Sequence, residues 1–193
     1  DVRMKGTLEV FRSQKELDGA ASDVAILERC NVPHQMVDVQ SCIHQEPALA
    51  NVKDKIVGGL YLPGDGTGDC HKFTNGLAQE CRKLGVQFLM GTEIHSIETS
   101  KGKVSSLKTS AGELKADKYV IALGSYAPYL TRKIGIHLPI YPLKGYSLTM
   151  PIVDESKAPV STVMDQKYKV AVTRFDDRIR VGGIAEIANF NKE

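Results

Sequence analysis

Val120-Ile121-Ala122-Leu123-Gly124-Ser125 is the stretch whose identity settles what the rest of the chain is for. It reads as a short buried strand that runs straight into a glycine. A strand ending on glycine brings backbone close to a bound group, because no Cβ stands in the way. The same residues also suit an ordinary core strand followed by a turn, so the neighbours must decide.

Immediately upstream, Asp69 stands as the N-cap of a helix. Phe73, Leu77, Cys81 and Leu84 recur on one face of it, and Gly85 closes it. Val86–Met90 reads as a strand. Glu93–Thr99, Val104–Thr109 and Glu113–Lys115 are separated by turn residues and read as a meander. A meander placed just ahead of an apolar strand and a glycine is more specific than any one of these elements. It reads as part of a nucleotide-binding layer. The loop before the helix, Gly64-Asp65-Gly66-Thr67-Gly68-Asp69-Cys70, is rich in glycine but is no phosphate loop. Lys72 is misplaced for the G-x-x-x-x-G-K-[ST] pattern, and two aspartates repel a phosphate.

Further out, the flanks read as sheet. Gly6–Phe11 and Gly58–Pro63 are strands. Between them Ser13 and Glu16 form a capping box ahead of Leu17, Ala20, Ala21, Val24 and Leu27, which predicts one helix to about Cys30. It stops at Asn31, ahead of Pro33. Val32–Val39 reads as extended and Ser41–Leu49 as a helical turn. Downstream, Tyr141–Pro151 is a strand in which Lys144-Gly145 marks a bulge or a close approach. Ser161–Met164, Lys169–Arg174 and Arg178–Val181 are strands, the last two a hairpin about Asp176-Asp177. The expected fold class is α+β, a largely antiparallel β-rich domain with helices, into which a helix and β-meander are inserted. The expected division is 1–64 and 128–193 for the β-rich domain and 65–127 for the insert.

Composition excludes several functions. Net charge is +2 and no basic run stands out, so nucleic acid is not an expected partner. No apolar run approaches the ~20 residues of a membrane span. The cysteines Cys30, Cys42, Cys70 and Cys81 form no C-x-x-C pair, and the histidines His34, His44, His71, His95 and His137 are scattered. Neither pattern suggests a metal site, and the thiols read as reduced. No catalytic triad or activated nucleophile is visible.

Several segments resemble the D-amino-acid dehydrogenase branch of the FAD-dependent amine and amino-acid oxidases. They are Thr7–Arg12, Pro63–Thr74 with Gly68-Asp69-Cys70, Tyr141–Pro151, and Arg174–Ile187 with its Arg178-Ile179-Arg180-Val181-Gly182-Gly183 core. The resemblance covers essentially the whole chain. It lacks the family's G-x-G-x-x-G opening, which seats the FAD pyrophosphate, and the Arg that pairs with the substrate carboxylate. The chain is therefore expected to be an internal fragment of such an enzyme, inactive and unable to retain FAD alone.

The resemblance implies that Ile94 clamps adenine through its backbone and that Ala122, Leu123 and Gly124 pass close to FAD. Lys144 and Gly145 would approach flavin and substrate, and Tyr168 would help hold the substrate carboxylate. On residues alone, Tyr168 is a cross-strand aromatic and Ile94 a strand core residue. The implied reaction is oxidative deamination of a D-amino acid such as D-alanine to a 2-oxo acid and ammonia. Electrons would pass to a respiratory-chain acceptor, from a cytoplasmic protein peripheral to the inner membrane. The alternatives are a related oxidase of secondary amines, of the sarcosine or glycine type, and a non-catalytic binding module.

Overall fold

The computed structural model describes residues 2–190. In chain order its elements begin with β1 (Val2–Arg3), β2 (Thr7–Phe11), α1 (Gln14–Gly19), α2 (Ala21–Arg29), β3 (Gln35–Val37) and α3 (Val39–Gln45). They continue with β4 (Gly58–Leu62), β5 (Thr67–Gly68), α4 (Cys70–Lys83), β6 (Ile94–Ser100), β7 (Lys103–Thr109) and β8 (Gly112–Leu114). The last are α5 (Ala127–Thr131), β9 (Lys144–Pro151), β10 (Thr162–Asp165), β11 (Val170–Phe175) and β12 (Arg178–Glu186). Among the described residues two compact units result: one holds Val2–Leu77 together with Gly145–Glu186, the other Ala78–Lys144 and Ile187–Phe190.

The first unit is built on a seven-stranded sheet in the order β3-β4-β2-β10-β11-β12-β9. It is antiparallel at β3/β4, β4/β2, β10/β11 and β11/β12, and parallel where β10 meets β2. Strand alternation gives β2 two apolar faces. Leu8 and Val10 point one way and pack with Cys42 of α3 and with Ile56. Phe11 points the other way and packs with Leu60 and Ala20, beside Leu17, Val24 and Leu27 of the first helices. Gly59 is required here. It lies opposite Val10, and a Cβ on it would come within 2.9 Å of the Cys42 Sγ.

Local signals formed as expected. Ser13 and Glu16 make the reciprocal capping box, and Asp69 Oδ1 accepts from the backbone N–H of His71 and Lys72 at 3.0 and 3.1 Å. Gly85, at φ +89°, ends α4 with backbone bonds back to Arg82 and, one residue on, to Cys81. The single expected helix after Ser13 is two, α1 and α2, because Ala20 turns inward to the core and ends one while starting the other. The extended segment after Val32 narrows to β3, since Asp38 caps α3 by accepting from the Ser41 N–H at 2.8 Å.

In the second unit β6, β7 and β8 form the expected antiparallel meander. Two expected strands are absent among the described residues. Val86–Met90 and Val120–Leu123 carry no ladder, and Val120 is 90% exposed and Met90 78%. An extended apolar run becomes a strand only where a neighbouring backbone supplies donors and acceptors. Among the described residues no neighbouring strand pairs with either stretch; the Val86 N–H turns back to the Cys81 carbonyl and the Leu123 carbonyl accepts from Tyr126. The apolar face of α4 is likewise uncovered, with Phe73 71% and Leu84 84% exposed, so this helix does not contribute the core its periodicity predicts. Around Gly145 the space is open: no described atom outside its chain neighbours lies within 4 Å of a Cβ built on it.

Candidate functional site

In the second unit, a cavity of about 490 Å³ opens between the meander and the Val120 stretch. Ile94, Ile97, Val104 and Leu107 form the wall on β6 and β7, and Tyr119 to Leu123, with Leu130 and Ile134, close it. Ile94 and Ile97 are three apart, which strict alternation would set on opposite faces; the irregularity in register between Ile94 and Ser96 lets both line the cavity, Ile97 buried and Ile94 half-buried. Ile94, Ala122 and Leu123, which sequence separates by up to 29 positions, thus line one space. Gly124 does not line it. Gly124 has φ +51° and starts the 3-10 turn Gly124–Tyr126, which turns the chain toward α5.

The cavity is mostly apolar, and its only charged lining residue among those described is Lys118. It suits a planar ring against backbone, and it offers no phosphate cradle. The glycine-rich loop ahead of a helix lies in the first unit, where Asp69 occupies the start of α4. Its carboxyl is held below the usual aspartate range by the Lys72 N–H bond, and further by Arg178. The residues present therefore fit the ring portion of a dinucleotide and not its pyrophosphate. Lys72, out of place for a phosphate loop, pairs with Asp176 at 2.6 Å instead.

In the first unit, Tyr168 sits in the tight turn between β10 and β11. Asp165 organises that turn: its Oδ1 accepts from the N–H of Lys167 at 3.1 Å and of Tyr168 at 3.3 Å. Its Oδ2 accepts from Arg12 through Nε at 2.7 Å and pairs with Nη2 at 2.6 Å. That hydrogen bond raises the Arg12 pKa further above its usual value. The guanidinium lies 5.1 Å from the centroid of the Tyr168 ring, and the Lys167 ammonium lies 5.7 Å from it. Gln166 ties the turn to β2 through its N–H to the Val10 carbonyl at 3.1 Å. Tyr168 itself is 61% exposed, and its hydroxyl has no hydrogen-bond partner among the described residues.

The same end of the sheet carries the start of β9. Gly183 of β12, at φ +155°, sits so tightly on Lys169 and Val170 that a Cβ would fall 2.8 Å from the Val170 Cα and closer still to the Lys169 carbonyl. Gly182 lies beside Tyr146 and Ser147 of β9. Gly145 and Tyr168 therefore share one end of this sheet. A recess of about 200 Å³ lies there, lined by Tyr146, Leu148, Val170, Val181 and the two glycines among others. Lys144 falls in the second unit, where it lines a recess with Tyr126, Pro142 and Phe190. Sequence reading missed Arg12 and Asp165. They lie 153 positions apart, and only the parallel register that sets Asp165 beside Val10 joins them.

Among the described residues no group of three or more His, Cys, Asp or Glu is placed to hold a metal ion, and the four cysteines are free thiols. Burial pushes the Cys42 thiol up to about 11.

The family model of FAD-dependent oxidoreductases matches residues 1–193. A D-amino acid dehydrogenase of Sinorhizobium medicae is 54% identical over all 193 residues, which make up 46% of that protein, and one of Azorhizobium caulinodans matches equally. The chain thus spans about half the length of the curated relatives it matches. Among solved structures, L-proline dehydrogenase of P. horikoshii superposes with TM-score 0.88 at 20% identity, over 99% of this chain and 52% of that one. Glycine oxidase of Geobacillus kaustophilus gives 0.87 at 22% identity, over 98% and 50%. At those identities the likeness is one of fold.

Proposed function

The chain belongs to the family of FAD-dependent oxidoreductases, and on that footing we propose that it forms the greater part of the substrate domain, and a piece of the cofactor domain, of an enzyme that oxidises D-amino acids at Cα. The observation that carries this reading is the 54% identity with D-amino acid dehydrogenases, which extends over the full 193 residues. The products are a 2-oxo acid and ammonia, formed when water adds to the imine.

FAD, when bound, supplies the hydride acceptor. The chain's own residues position. Ile94, Ala122 and Leu123 offer the backbone and apolar wall for a ring of the cofactor, with Gly124 turning the chain away beside them. Tyr168 presents a fixed ring and a hydroxyl that can donate to the substrate carboxylate. Gly145, at the same sheet end, leaves open space where substrate must approach, and Lys144 precedes it. No side-chain nucleophile is required, since the flavin accepts the hydride. Electrons then leave to a respiratory-chain acceptor, with the protein on the cytoplasmic face of the inner membrane. The association proposed is peripheral; no helix among the described residues is long and apolar enough to cross a membrane.

The test is anaerobic titration of a flavin-loaded protein of the relatives' full length that carries these 193 residues. D-Alanine should bleach the flavin bands, with release of one 2-oxo acid per flavin. Bleaching by sarcosine but not D-alanine would transfer the assignment to secondary amines, and no bleaching by either would return the chain to a binding role.

A further inference from the structure

Tyr168 is unusual in being exposed and yet over-determined. An exposed tyrosine on a four-residue turn ordinarily samples several rotamers, and each rotamer that is lost costs free energy. Here the turn is fixed from two directions. Asp165 closes it through the N–H groups of Lys167 and Tyr168, and Gln166 ties it to β2 through the Val10 carbonyl. Lys169, at φ +54°, completes it, and its ammonium reaches back to the Gln166 side chain. What remains is the ring, and the ring is met by Arg12.

Arg12 is placed by β2, one residue past the strand. Both Nε and Nη2 are spent on Asp165 Oδ2, at 2.7 and 2.6 Å. With its fork occupied, the guanidinium lies over the Tyr168 ring, its Cζ 5.1 Å from the ring centroid. Arg is suited to this because a planar cation can pair edge-on and stack face-on at once; an ammonium cannot. The Arg12 charge is largely answered by Asp165. Lys167, on the turn itself and 5.7 Å from the ring centroid, adds a positive charge beside the phenol. An anion that meets the Tyr168 hydroxyl therefore meets a held donor in a locally positive setting.

We propose that Arg12, locked by Asp165, is a positioning residue that holds the Tyr168 ring so that its hydroxyl meets the carboxylate of an amino-acid substrate. Arg12 does not touch the substrate. The inference rests on the reading that Tyr168 contacts that carboxylate, and adds to it the pair of groups that makes the contact productive. In the unbraced state the ring is spread over rotamers, and apparent affinity falls by the fraction in the competent one. The effect therefore belongs to binding and not to the chemical step.

The experiment compares Tyr168→Phe, Arg12→Lys and the double variant in the flavin-loaded, full-length protein. Steady-state kinetics with D-alanine are paired with calorimetric binding of pyruvate, the 2-oxo acid product, and with melting temperature. Arg12→Lys keeps the charge but loses the two-nitrogen grip on Asp165 and the planar cation over the ring. It should raise KM and the pyruvate Kd roughly three- to tenfold, with kcat within about twofold. Added to Tyr168→Phe it should cost nothing further, because the hydroxyl it positions is already gone. If Arg12→Lys fails to fold, Asp165→Asn serves: its remaining oxygen can still close the turn while the ion pair is lost, and the same KM rise is expected. Unchanged KM and Kd in Arg12→Lys, against a clear rise in Tyr168→Phe, would overturn the role of Arg12 alone. So would an Arg12→Lys effect that adds in full to Tyr168→Phe. A silent Tyr168→Phe would instead remove the carboxylate reading, and the inference with it.

Discussion

Removing the Glu46 carboxylate should loosen the joint between α3 and β10. Glu46 is 4% exposed at the end of α3. Its Oε2 accepts from the Val160 N–H at 2.6 Å and its Oε1 from the Ser161 N–H at 3.0 Å, so one side chain satisfies two backbone donors at the entrance to β10. Ser161 is itself 1% exposed, which leaves its N–H no route to water. Glu46→Ala strips both acceptors and opens a void. A stranded buried donor costs about 1–3 kcal/mol, and relief from burying a charge offsets part of the total. The net loss expected is about 2–4 kcal/mol, or a melting temperature lower by roughly 5–15 °C. Glu46→Gln keeps one acceptor but turns an amide NH₂ toward the other N–H, for a loss of about 1–2 kcal/mol. Burial holds the Glu46 pKa above 4.5, so between 4.5 and the raised value the folded chain binds more protons than the unfolded one. The stability this group contributes is full below 4.5 and is lost as pH rises through its folded pKa. The stability difference between the parent chain and Glu46→Gln should therefore shrink with rising pH in that window. Urea unfolding followed by circular dichroism, at a series of pH values, measures both. Glu46→Ala as stable as the parent would show that this carboxylate does not hold the joint, and a difference from Glu46→Gln that grows with pH would show that the two N–H bonds outweigh burial in setting its protonation.

Gly183→Ala should destabilise the first unit by several kcal/mol, or prevent folding, because the new Cβ would fall against the Lys169 carbonyl and 2.8 Å from the Val170 Cα; Gly145→Ala, with open space around it, should melt within about 3 °C of the parent. Titration with a thiol reagent should find Cys30 and Cys70 fast, since both are exposed, and Cys42 silent until denaturant is added. A Cys42 that reacts at the rate of Cys30 would show that the apolar cluster of Leu8, Val10 and Ile56 around it opens readily.

Features whose hydrogen bonds stay local were legible in the sequence. The capping box at Ser13 and Glu16, the Asp69 cap, the Gly85 stop, the meander and the hairpin at Asp176-Asp177 are settled among residues a few positions apart, and all formed. The family resemblance was legible for a different reason, since segments such as Tyr141–Pro151 and Arg174–Ile187 can be matched residue by residue without a structure. Strands without a nearby partner were not legible. Val86–Met90 and Val120–Leu123 have the composition of strands, but pairing is a property of two backbones, and no described strand supplies the second. The cavity residues Ile94, Ala122 and Leu123 could be named from sequence, but only the fold of the meander against the Val120 stretch set them around one space. The brace of Tyr168 lay furthest from view. Arg12 and Asp165 carry no pattern of their own; the parallel register of β2 and β10, decided by which faces bury Leu8 and Val10, is what brings a cation, a carboxylate and a phenol together.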